Sequence, residues 1–174
     1  MTTLTTAAIY GTLLLSAPPV TTVEFDGESY SAAFHSNRPE VRLIEFVREG
    51  ETVENWTKLF AARNYPRQTD PATAVKYFEM AVKEHNPLSR SVVLVKEDGS
   101  EAMIDFLTWT PGEKQMELNV HRYLKLPGRP GLVSFQFAYR IADPSSVTAA
   151  ELRALRTRWV EAMSALPPPT VFEK

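Results

Sequence analysis

"EGETVENWTKLF", Glu49 to Phe60, is the stretch on which the fold turns. Gly50 breaks the chain, Thr52 offers a hydroxyl able to cap a helix, and Glu51 and Glu54 suit the positive end of a helix dipole. Val53, Trp56 and Phe60 then recur at i, i+3 and i+7, and Leu59 widens the stripe. That spacing predicts an amphipathic helix with Trp56 as its anchor on a sheet. Asn55-Trp56-Thr57 also matches the glycosylation sequon, which matters only in a eukaryotic secretory route.

Outward from this segment the chain alternates and turns. "VRLIEFV", Val41 to Val47, is β-branched and aromatic and reads as a strand. Asp26-Gly27 and Asp98-Gly99 each sit between alternating runs, a hairpin signal because the central turn positions need positive φ. Asp70 caps and Pro71 opens a second helix, whose apolar face is Ala74, Val75, Phe78, Ala81 and Val82, up to His85-Asn86-Pro87. Pro111-Gly112 turns the chain into "QMELNVHRYLKL". Met116, Leu118 and Val120 face one side of that strand, and Glu117, Asn119 and His121 the other. Pro127 to Gly131 is a tight connector into "LVSFQFAYRI", with Val133, Phe135, Phe137, Tyr139 and Ile141 inward. Thr148 and Glu151 form a capping box ahead of Leu152, Leu155, Trp159, Met163 and Leu166, and Pro167 to Pro169 end that helix. The expectation is α+β: an antiparallel sheet of about six or seven strands with three helices packed on it, in one domain over residues 20–174.

Composition narrows the function classes. The chain has 174 residues, no cysteine, 44% apolar and 23% charged residues, and a net charge of −2. A disulfide or thiolate metal site is excluded, and no general field favours nucleic acid. Met1 to Val23 carry no Asp, Glu, Lys, Arg or His, and Ala7 to Ala17 form an apolar run too short to span a bilayer. The run suits the core of an export signal ending near Ala17, so residues 1–19 read as an export signal or an N-terminal extension. No Lys or Arg precedes the run and Pro18 follows it, which leaves a strand or helix of the mature domain as the alternative.

The string "EFVREGETVENWTKLF", residues 45–60, resembles a segment of small bacterial exported proteins. The order of elements over the rest of the chain resembles the PsbP-like fold, an antiparallel sheet sandwiched between helices. The resemblance implies mostly non-catalytic accessory or binding roles with protein partners, and it carries no catalytic motif. On it, the chain reads as a non-catalytic exported binding protein, periplasmic or secreted and otherwise cytoplasmic. Its partner is expected to be a protein or a cell-envelope component, with no cofactor, no metal, no nucleic acid and no stable membrane span. An immunity-type inhibitor is the variant of this reading that differs only in its partner.

Candidate site residues follow from the strand faces. His121 shares a polar face with Glu117 and Asn119, and the next strand offers Ser134, Gln136 and Arg140 on a corresponding face. Asp105, an acid among apolar strand residues, needs solvent or a partner. His35 and Arg38 lie in the turn-like "HSNRP". His35 or His121 with a carboxylate and Ser134 would make a small hydrolase, though no Gly-x-Ser-x-Gly elbow is present. Contact loops are expected at His35 to Pro39 and Pro127 to Gly131, since loops on a rigid sheet present groups freely.

Overall fold

The computed structural model describes residues 22–110, 114–168 and 172. In order, the elements are β1 (Thr22–Phe25), β2 (Glu28–Asn37), β3 (Arg42–Val47), β4 (Lys58–Tyr65), α1 (Pro71–His85), β5 (Arg90–Val95), β6 (Glu101–Trp109), β7 (Met116–Lys125), β8 (Leu132–Ile141), a 3-10 turn (Pro144–Ser146) and α2 (Ala149–Ala165). The strands form one sheet in the order β1-β2-β3-β4-β8-β7-β6-β5, antiparallel at every step. Two four-strand meanders, linked through α1, are thus fused along β4 and β8.

The expected sandwich of six or seven strands and three helices is therefore corrected to eight strands and two α-helices. One misreading accounts for both differences. Residues 53–57 form no helix, with bends at 53–55 and 57, and Lys58–Tyr65 is a strand in register with β3 and β8. Leu59, Phe60, Ala61 and Ala62 are all buried because both faces of this central strand are covered. A strand buried on both faces loses its polar alternation, and a continuous apolar run is ambiguous by periodicity. The Thr52 hydroxyl does accept the Asn55 N–H at 3.2 Å, as a cap would, but backbone bonds between Thr52 and Asn55 close a turn instead. Glu51 ties that loop down, accepting from the Thr57 N–H at 3.0 Å and from Arg48 at 2.6 Å. The Pro111-Gly112 turn and the N-terminal apolar run lie outside the described residues.

The sheet curls into a half-barrel. The Phe25 ring on β1 lies 5.5 Å from Phe60 on β4 and 4.7 Å from Phe137 on β8, although β2 and β3 intervene in the sheet. Helix α2 fills the concave side, with Trp159 against Phe137 at 4.9 Å and Tyr139 at 5.3 Å and with Met163 fully buried. Its capping box, Thr148 with Glu151, forms as the sequence predicts. Asp26, in the left-handed region at φ 52° in the β1–β2 turn, accepts from Arg158 at 2.8 Å and from the Trp159 indole at 2.9 Å. Helix α1, capped by Asp70, lies on the convex side, where Val75 and Phe78 meet Ile104, Phe106 and Tyr123. Among the described residues, no helix is long and apolar enough to cross a membrane.

Candidate functional site

The antiparallel order brings three chain segments to one end of the half-barrel: the β2–β3 turn, the end of β4 and the β7–β8 connector. The β2–β3 turn is closed by the Arg38 N–H to the Val41 carbonyl at 3.1 Å. Gly131 lets the β7–β8 connector press on the β4 end. It sits at φ +85°, and a Cβ there would lie 2.4 Å from the Tyr65 carbonyl oxygen. No side chain fits that approach without moving the backbone.

Between these segments lies a groove of about 550 Å³, within the usual range for a ligand site. Arg38, Arg42, Asn64, Arg129 and Phe172 are among its lining residues, and none of the described lining residues is acidic. Arg42 is held in place: it donates to the Asn64 side-chain carbonyl at 2.9 and 3.3 Å and lies 5.5 Å over the Phe172 ring. Asn64 in turn donates to the Leu132 carbonyl at 3.3 Å. With Nε and Nη2 turned to Asn64, the remaining Nη edge of this fixed guanidinium suits a carboxylate or phosphate oxygen. Both contact loops expected from the sequence reach this groove, through Arg38 and Pro39 on one side and Arg129 to Gly131 on the other. Arg42, Asn64 and Phe172 were not expected; no local motif marks them, because only strand order brings them together.

The predicted polar strand face forms, and helix α1 packs on part of it. Glu117, Asn119, His121, Ser134, Gln136 and Arg140 do share the convex face of β7 and β8, since β7 and β8 pair with Glu117 opposite Arg140 and His121 opposite Gln136. Helix α1 covers much of it: Asn119, His121 and Ser134 are buried. The His121 ring stacks on Phe78 of α1 at 4.5 Å and meets Phe106 edge-on at 5.4 Å. Burial holds the imidazole well below its ordinary pKa, and the Arg63 charge adds to the effect, so His121 is neutral. Among the described residues, neither ring nitrogen nor the Ser134 hydroxyl has a hydrogen-bond partner. Gln136 donates to the Asn119 side-chain carbonyl at 2.9 Å. At the rim Arg140 pairs with Glu117 at 3.0 Å and lies 3.9 Å over Trp56.

The remaining candidates are elsewhere. Asp105 faces the concave side, where it pairs with Arg156 of α2 through both carboxylate oxygens. His35 is exposed on β2, with β3, β4 and β8 between it and His121. His121 therefore has neither carboxylate orienter nor bonded nucleophile from the predicted set, and the arrangement lacks the base–orienter contact on which nucleophilic catalysis rests. Among the described residues no group of three or more His, Asp or Glu is placed to hold a metal. A protein-family model matches residues 17–167, the greater part of the chain. No curated protein matches the chain.

Proposed function

The chain belongs to the family whose model it matches, and from that premise we propose that it is an exported accessory protein that binds a partner through the groove at the end of the half-barrel. The groove recognises an anionic segment of a protein or cell-envelope component. One observation carries this reading: two loops from separate meanders converge with fixed Arg42 and exposed Arg38 on a space large enough for a ligand. The rigid sheet beneath holds these groups in position, which lowers the ordering cost of binding.

The test is calorimetric titration of the full chain with a Glu/Gly peptide and its Gln/Gly counterpart. The acidic peptide should bind, and Arg38→Glu should weaken it by at least about tenfold, the scale of one charge-assisted hydrogen bond reversed into repulsion. Equal binding of the two peptides, or indifference to Arg38→Glu, sinks the reading. Export rests on the apolar run Ala7 to Ala17. The intact mass of protein recovered from its host should lack about the first seventeen residues, counted from the small-residue cleavage site. A full-length mass removes that half of the proposal.

A further inference from the structure

We propose that the cavity between α2 and strands β5, β6 and β7 is a second binding site, one for a small amphiphilic anion: an alkyl chain of about eight carbons ending in a carboxylate. The wall of this cavity is apolar, built by Val92 of β5, Leu107 of β6, Leu118 of β7 and Leu152 of α2. Val92 is 42% exposed, a large apolar side chain left open at the sheet edge. The floor carries no net charge, because Asp105, the acid among the lining residues, is clamped by Arg156 through both oxygens.

The mouth is different. Arg90 of β5 and Arg153 of α2 are exposed lining residues, one on the sheet and one on the helix, and neither has an ion pair or side-chain hydrogen bond with any described residue. Two unpaired guanidinium groups over an apolar wall select a ligand with one anionic end and an uncharged body. A neutral amphiphile would crowd both cations without compensating them, and a second charge would have to enter the apolar part. Volume sets the length. The cavity holds about 260 Å³. At ~30 Å³ per water-sized group that is room for roughly nine non-hydrogen atoms, close to octanoate.

This site is independent of the end groove, and so is its test. Straight-chain carboxylates from butanoate to decanoate, and the alcohols of equal length, are titrated into the full chain by calorimetry. Carboxylate affinity should rise about fourfold per methylene and level off near octanoate. The alcohols should bind at least about tenfold more weakly. The double variant Arg90→Gln/Arg153→Gln should bring carboxylate binding down to the alcohol level with thermal unfolding unchanged, and Arg38→Glu in the end groove should leave it unaltered. Equal affinity for carboxylate and alcohol overturns the proposal. So does affinity independent of chain length, a rise that continues through decanoate, or undiminished binding by the double variant.

Discussion

His121 shows what burial does to a residue that looks functional in sequence. Its strand neighbours Glu117 and Asn119 promise a polar face, but the ring is 3% exposed and packed between Phe78 and Phe106. The neutral ring is buried with both nitrogens unbonded, and an imidazolium would cost still more because it would be desolvated without a counterion. The unfolded chain binds a proton below pH ~6.5 that the folded state refuses, so stability falls as pH drops through that value, by up to ~1.4 kcal/mol per pH unit until the folded state also titrates. Glu101 acts in the same direction in a lower window. Burial pushes its carboxyl up, but Arg122 and Lys96 outweigh that and hold it below the ordinary value near 4.5. Urea midpoints measured at pH 7.5 and 5.5 therefore separate the histidine range from the carboxylate range, and the His121→Leu comparison assigns the share of this one of the three histidines. The natural chain should lose stability between them, and His121→Leu should flatten most of that loss. An undiminished loss in the variant would mean that His121 is protonated in the fold.

At the scale of elements, the sequence places two tryptophans on helix stripes, and only one of them keeps that role in the structure. Trp56 anchors no helix; it is half-buried in the β3–β4 loop and receives the Arg140 guanidinium on its face. Trp159 is the true anchor, 2% exposed in the concave core. Helix α2 is held there at three points along its length: Arg156 to Asp105, Arg158 and Trp159 to Asp26, and Arg122 at its C-terminus. Arg122 donates to the carbonyls of Met163 at 2.8 Å and Leu166 at 2.6 Å, supplying partners that a helix end lacks. It also makes a two-pronged pair with Glu101 at 2.9 and 3.0 Å. Arg122→Ala should cost about 3–5 kcal/mol in urea unfolding, because Glu101 is left buried with only the exposed Lys96 beside it. Glu101→Leu/Arg122→Met should recover more than half of that loss, while amide exchange in the last turn of α2 stays faster than in the natural chain. If the double variant is no more stable than Arg122→Ala, the cost lies in packing and not in the uncompensated charge.

Over the whole molecule, local chemistry and chain topology divide the work. The hairpin at Asp26-Gly27, the caps at Asp70 and Thr148, and the facing sets of β7 and β8 were legible because each depends on residues close in sequence. β4 was not, since a strand covered on both faces by other parts of the chain carries no polar alternation of its own. The same holds for the sites. The loops around Arg38 and Pro127 to Gly131 announced themselves by their turn residues, but Arg42, Asn64 and Phe172 became their companions only through strand order. Asp105 needed a partner by its surroundings in sequence; that the partner is Arg156 depends on which side of the sheet α2 occupies. The sequence by itself determined an antiparallel α+β domain, most of its strands, both of its helices and the segments exposed as loops, all consequences of short-range periodicity and capping. Only the tertiary structure decided which faces are buried, which arginines are left unpaired and which loops meet. Those outcomes depend on the curl of the eight-strand sheet and on burial from both sides, which involve contacts between residues far apart in the chain.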